Sequence, residues 1–416
     1  MKSLVWLVLS VLSAGITFLS VRNTPDAWSY SAAVKVQMGD LYSPWVGARE
    51  LLLHHRNPYG PEVSEQIQTA FYGHTIHQAY DAPAKSLINE QRFAYPVYVV
   101  FLLAPAINAD FLEVRQWARL LLAGFTAISV LLCLDILHWH VTRTVTIALI
   151  LFILSSPQLI QGLRLEQLAL VVGFLLVASA WCAQKNYLIA VGVLLALTTI
   201  KPQMSVMPLC WFAIWTAGKW RKRWRIAAAF VATLAALIAG GEILLHGWIR
   251  YFVDGLSAYR KYAHTSSLLR VVLGDALGGI TAAILFLALL LFAWRNRKAP
   301  SGSPEFTFLF AVFLMGAILV FPLLIPFNQV MLILPSMLVL RDWKALSRFS
   351  RFIFIAVISW TWITDLALLI LPSRLQSRGR LPFFASLLVS FFPLFLLLLN
   401  MTKRRNALAK LAPADL

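Results

Sequence analysis

Apolar residues arrive along this chain in long blocks separated by short polar breaks. The first covers Ser3–Val21. Others follow at about Ala94–Asn108, Trp117–Leu137, Thr144–Ile160, Leu165–Trp181, Tyr187–Ile200, Met204–Ala217, Ile226–Leu245, Val271–Trp294, Phe306–Pro322, Val330–Leu340, Phe352–Leu371 and Pro382–Met401. Many approach the roughly 20 residues that carry a helix across a bilayer. They predict an all-α, polytopic membrane protein. One polar interval, Arg22 to Phe93, is far longer than an ordinary connection and predicts a structured outer loop. Residues 1–416 read as one integral membrane domain, with 22–93 as that loop.

Composition agrees. Of the 416 residues, 60% are hydrophobic and 13% charged, against about 25% charged in ordinary soluble domains. The 36 Lys and Arg outnumber the 18 Asp and Glu, giving a net charge of +18. This excess sits in clusters between apolar blocks, at Lys219–Arg225, Arg295–Lys298 and Arg341–Arg351, as expected of cytoplasmic loops. The basic clusters are short and lie between apolar blocks, so nucleic acid is not an expected partner; membrane lipids are. Cys133, Cys182 and Cys210 lie inside apolar runs and imply no disulfide framework. Lys2 and the apolar run behind it resemble a secretion signal. The length of the run and the lack of a small-x-small cleavage site predict a retained first helix.

Charge also constrains topology. With the N-terminus inside and the long loop outside, crossing at every run would put all three basic clusters outside. Removing one crossing repairs them together. Ala94–Asn108 is short and carries Pro96 and Pro105, which predicts an interfacial or re-entrant segment and about 12 true spans. The rival repair fuses the runs around Lys201-Pro202 into one kinked helix. The first places Glu166-Gln167, Lys201-Pro202-Gln203 and Asn328-Gln329 on the same outer face as the long loop, so it is preferred.

Within that loop, Ser43-Pro44 reads as a helix start, with Ser as N-cap and Pro at the first helical position. Trp45, Ala48, Leu51 and Leu52 fall on one face, and Asn57-Pro58-Tyr59-Gly60-Pro61 ends the helix. This predicts an amphipathic helix on the membrane surface. His54 and His55 are adjacent and point apart on a helix, so no metal is expected there.

The segments Gly39-Asp40-Leu41-Tyr42, Trp45-x-Gly47-Ala48-Arg49-Glu50 and Asn57-Pro58-Tyr59 resemble glycosyltransferase family 87, the GT-C type membrane enzymes that use polyprenyl-phosphate sugars. Arg92-Phe93-Ala94-Tyr95-Pro96 with Ala104-Pro105, Glu166-Gln167, Ile200-Lys201-Pro202-Gln203 and Pro326-Phe327-Asn328-Gln329 follow in the family's order. The resemblance runs from about Met38 to Leu340. It departs at Leu165-Glu166-Gln167, where Gly-Gln-Asn is commoner, and at Asn328, where many relatives carry a histidine. It implies inverting transfer of a hexose or pentose, with mannose favoured, from a polyprenyl-phosphate donor. The acceptor would be a hydroxyl of an extracytoplasmic glycan or glycolipid, and the setting a bacterial plasma membrane.

Such a transfer needs a base for the acceptor proton and cations for the departing phosphate. Asp40, ahead of the loop helix, is the expected base, although an aspartate near a helix N-terminus is also explained by the helix dipole. Asp26 is the reserve candidate; Asp81 and Glu90 read as solvated charges. Lys201 is the expected phosphate ligand, its plain alternative being a lysine reaching for the interface. Arg164 and Arg92 are secondary candidates. Tyr59, Tyr95, Glu166, Gln167, Asn328 and Gln329 are expected to meet sugar or acceptor. Arg260, Lys261 and Arg270 read as headgroup contacts. No Asp-x-Asp pair and no glycine-rich phosphate loop follows a strand pattern, so a nucleotide-sugar or ATP site is not indicated, which favours a lipid-phosphate donor; no cofactor is expected. The different-class alternative is a polytopic transporter, or a lipid-linked glycan flippase or ligase. Against it stand the absence of a second copy of the Asp40–Tyr59 or Lys201-Pro202 segments and the single large loop at one end.

Overall fold

The computed structural model describes residues 38–73, 75, 91–262, 267–323 and 325–370. The expected first helix, Asp26, Asp81, Glu90 and the run at 382–401 lie outside them. Among the described residues all regular structure is helical. Three helices are long and apolar enough to cross a membrane: Phe111–Ile136 (α4), Trp220–Leu244 (α10) and Asp275–Arg295 (α13). A fourth span is possible if Arg143–Leu154 (α5) and Pro157–Arg164 (α6), bent by 62° at Ser155-Ser156, count as one. The expected count of about 12 is not confirmed among the described residues. Several apolar blocks form helices of 10–17 residues instead, among them Ala169–Gln184 (α7) and Pro304–Val320 (α14).

Burial sorts these helices. In α10 only 11% of the apolar window is covered by protein, and Val231 and Ile243 point outward, as lipid-facing residues do. Helix α14 is apolar on every side and buried from Phe306 to Leu319, as expected for a helix enclosed by others. Phe306, Phe310 and Phe313 pack there on Trp211, Phe212 and Trp215 of Pro202–Gly218 (α9). Gly192 of Leu188–Leu197 (α8) lies against the backbone of α10 at Ile226, where any Cβ would overlap, so the helices meet closely.

The two ends of the bundle differ. At one end the basic clusters gather. Arg223 lies over Trp215 at 3.6 Å and donates to the carbonyls of Trp215, Arg297 and Ala299. Arg341 donates to the carbonyl of Leu137, just past α4. Helix α4, about 39 Å long at 1.5 Å per residue, carries the chain from this end to the other, where the loop helices sit.

The loop helix differs from expectation. It runs Tyr42–His54 (α1) with Leu41 as N-cap, so Ser43 and Pro44 sit in its first turn, where proline is tolerated. It is no surface helix: from Ser43 to Ala48, and again at Glu50 and Leu51, it is buried. Pro61–Tyr72 (α2), Val99–Leu103 (α3) and the 3-10 turn Ala104–Ala106 pack around it, and Trp45 donates to the Ala106 carbonyl. The 94–108 run thus contains only short helical pieces and lies under α1. Asp110 caps the start of α4, accepting from Leu112 N–H.

Candidate active site

Four breaks in the helical chain meet at the end opposite the basic clusters. The first is the Gly39-Asp40 turn before α1, tied down by a bond from Asp40 N–H to the Leu165 carbonyl at 2.8 Å. The second is Leu165-Glu166-Gln167, after α6. Here Glu166 takes a left-handed conformation (φ 49°), while Gln167 N–H closes on the Gly162 carbonyl. Helix ends usually place glycine or asparagine at such a position; a glutamate there carries backbone strain. The third is Lys201, extended between the Thr198–Ile200 turn and α9, with Pro202 opening that helix. The fourth is the 3-10 segment Pro326–Leu332, packed on α6 and α7.

Side chains join these breaks. The Gln167 amide donates to the Asp40 carboxylate and accepts from Lys201 Nζ at 2.8 Å, so one amide bridges the carboxylate and the ammonium. Lys201 is only 7% exposed and lies 4.8 Å from the Phe327 ring centre, so it does not reach for the interface. A cation at a helix N-terminus opposes the dipole; Asp40 and Gln167 offset that cost. Burial pushes the Asp40 carboxyl above the usual range, the Lys201 charge and the Gln167 bond pulling it part of the way back.

Beside this trio, Glu166 is wholly buried. Its Oε1 accepts from Arg115 Nε at 2.8 Å and Arg119 Nε at 2.7 Å, and Arg119 also donates to the Arg164 carbonyl. Burial raises the Glu166 carboxyl and the two guanidinium groups draw it back. Its Oε2 has no hydrogen-bond partner among the described residues, and a Cβ on Gly39 would overlap it. Gln161 Oε1, Asn328 Oδ1 and Gln329 Nε2 are likewise buried and unpartnered there. Buried polar atoms are normally satisfied, so the unpartnered Glu166 Oε2 beside Asp40 and Lys201 makes this cluster the candidate site; Gln184 Oε1, Trp211 Nε1 and Thr216 Oγ1 are unpartnered elsewhere among the described residues.

The structure therefore brings together Asp40, Lys201, Glu166 and Gln167, with Asn328 and Gln329 on the segment that carries Phe327. Arg164 contributes its backbone carbonyl to Arg119. Three expected residues stand elsewhere. Tyr59 donates to the Tyr95 carbonyl at 2.6 Å, and Tyr59 and Arg92 line a separate cleft of about 150 Å³ with Tyr251 and Asp254. The intervening chain packs instead: Phe93 is buried against Tyr59 and Gly47. Sequence reasoning missed Arg115 and Arg119. Their spacing of four, which puts both on one face of α4 just inside its start, was the available signal.

No curated protein and no solved structure shows significant similarity to this chain. The sequence profile of glycosyltransferase family 87 matches residues 93–322. The matched stretch holds Arg115, Arg119, Glu166, Gln167 and Lys201; Asp40 precedes it and Asn328 follows it. Because the match covers more than half of the chain, the protein belongs to glycosyltransferase family 87 and is a membrane glycosyltransferase.

Proposed function

We propose that this enzyme transfers a hexose or pentose, with mannose favoured, from a polyprenyl-phosphate donor to a hydroxyl of an extracytoplasmic glycan or glycolipid. In this reading the basic end faces the cytoplasm of a bacterial plasma membrane, following the positive-inside rule. The Asp40 end faces out, in a GT-C type architecture.

The observation that carries the reading is the charge balance of the cluster. Lys201, Arg115 and Arg119 face Asp40 and Glu166, leaving one positive charge uncompensated. A glycosyl phosphodiester carries one negative charge and would neutralise it, whereas a pyrophosphate donor would bring more. The reaction is a single displacement. The acceptor oxygen forms its bond to the anomeric carbon as the carbon–oxygen bond to phosphate breaks, and the proton passes to Asp40. The electron pair leaves with the phosphate, whose growing charge Lys201 and the arginines stabilise. One displacement inverts the anomeric centre. Arg115 and Arg119 take the role that the sequence suggested for Arg92. Gln167 holds Asp40 in place, while Asn328, Gln329 and Glu166 offer unpartnered atoms to sugar hydroxyls.

The test is transfer of labelled sugar from synthetic polyprenyl-phosphate mannose by the purified protein, with a crude lipid and glycan extract as acceptor. The native chain is expected to form product, and Asp40→Asn to bind donor without turnover. Retained turnover in Asp40→Asn refutes the base. Failure of the native chain to bind any polyprenyl-phosphate sugar refutes the donor.

A further inference from the structure

A second cavity lies beside the Asp40 turn and is not used by the chemistry above. It is a cleft of about 530 Å³ between α1, α2 and the start of α4. Met38 and Tyr42 line it from either side of Asp40 in the sequence, so the turn carrying Asp40 forms part of its rim. The volume falls within the roughly 300–1,000 Å³ of small-molecule sites.

The walls are of two kinds. Tyr42 and Trp45 pack on Phe111 with ring centres 4.8 and 5.2 Å away, giving a rigid aromatic side. Arg49, Glu50, Gln66 and Asp110 supply donors and acceptors around it. Glu50 stands out. It is 5% exposed, yet its ion-pair partner is Arg56, which is more than half exposed and 3.3 Å away. A carboxylate that is buried and loosely held is costly unless further donors reach it.

Charge separates this cleft from the donor cluster. Arg49 and Arg56 against Glu50 and Asp110 leave no cationic excess, so an anion has no advantage here. Flat rings edged by carboxylate, amide and guanidinium groups suit a ligand with apolar ring faces and many neutral hydroxyls. We propose that the cleft binds a neutral carbohydrate, the glycan portion of the acceptor, and so delivers its reacting hydroxyl toward Asp40. This rests on the glycosyl-transfer reading and adds the site and chemical class of the second substrate.

Saturation-transfer NMR on the full chain in lipid nanodiscs tests it. The probes are methyl glycosides of mannose, glucose and galactose and their neutral disaccharides. Binding of synthetic polyprenyl-phosphate mannose is measured in parallel on every sample. Gln66 is exposed, so Gln66→Trp fills the cleft without touching the core; Glu50→Gln with Asp110→Asn keeps both shape and helix cap. The expected result is binding of at least one neutral saccharide by the native chain. In either variant the affinity falls at least about tenfold, the equivalent of one hydrogen bond to a charged group, while donor binding is unchanged. Saccharide binding that survives Gln66→Trp overturns the proposal, and so does a native chain that binds donor but none of the saccharides. A native chain that binds saccharide through this cleft but no polyprenyl phosphate upholds the cleft and overturns only the donor assignment.

Discussion

Glu166→Gln separates the stabilising part of the polar cluster from the part assigned to the donor. The carboxylate is fully buried and one oxygen receives both Arg115 at 2.8 Å and Arg119 at 2.7 Å. Breaking a buried ion pair by removing one partner costs about 3–5 kcal/mol. Two features reduce this: glutamine keeps an acceptor for one guanidinium, and Arg119, 41% exposed, can be resolvated by water. The expected loss is about 2–3 kcal/mol, equivalent to a fall in Tm of several degrees or less for a chain of this size. Donor affinity should move the other way or stay constant, because the cluster gains a net positive charge and one arginine is released toward the phosphate. Arg115→Met should lose both stability and donor affinity. The assay is thermal unfolding of the purified protein in nanodiscs with and without polyprenyl-phosphate mannose. The donor should raise the Tm of Glu166→Gln by at least as much as that of the native chain. An unchanged Tm in Glu166→Gln, or a loss of donor-induced stabilisation with the arginines intact, would refute the reasoning.

Three further outcomes follow from the same geometry. Asp40 works deprotonated and its pKa is raised, so kcat/KM should fall with acidification through an apparent pKa well above the ordinary carboxylate value of about 4; a limb at or below that value contradicts the assignment. Gly39→Ala drives a methyl into the Glu166 carboxylate and to 3.1 Å from the Leu165 carbonyl; overpacking of this kind costs about 1–3 kcal/mol and should lower turnover at least tenfold, checked by thermal unfolding and transfer rates on one preparation. Arg223→Lys should destabilise the protein by about 2 kcal/mol with transfer per folded molecule unchanged, since lysine cannot reproduce a planar fork that serves three carbonyls and stacks on Trp215; unchanged thermal stability would show that this anchor carries no weight.

The helical class and much of the site were legible in the chain because each rests on a local pattern. Apolar blocks announce helices, and a lysine stranded between Ile200 and Pro202 announces a cost that something must offset. The Asp40–Gln167–Lys201 contact joins three such local oddities. Arg115 and Arg119 were missed because, seen alone, arginines near the start of a helix look like interface anchors; only the fold brings buried Glu166 to them. Arg92, Tyr59 and Tyr95 stand apart from the Asp40 cluster for the converse reason. They sit in two distinctive segments, but Phe93 packs under α1 and against Tyr59, and Tyr59 and Arg92 line a cleft with Tyr251. The surface helix was a similar error: its apolar stripe is real, but α2 and the 99–106 segment cover its other faces. The span count is not confirmed among the described residues, because block length in sequence does not reveal where a helix breaks.

Those breaks also explain where the site is. Inside a bilayer an interrupted helix leaves backbone groups unsatisfied, and such interruptions are tolerated only where protein or a water-filled cavity receives them. At the basic end the connections are turns whose carbonyls are met by Arg223 and Arg341. At the other end the chain breaks at Leu165–Gln167, at Lys201 and before Pro326, and it adds a strained glutamate whose Oε2, beside Gly39, has no partner among the described residues. A fold that needed only stability would run these helices through or replace the polar atoms with apolar ones. Gly39 and Asp40 of the 38–42 turn meet Glu166 and Gln167, while Met38 and Tyr42 of the same turn line the cleft that holds Glu50. In the proposed reading Asp40 stands between the Lys201, Arg115 and Arg119 group, which would meet the phosphate, and the cleft beside Glu50, which would hold the glycan, so a base there could take a proton from one substrate as the other departs.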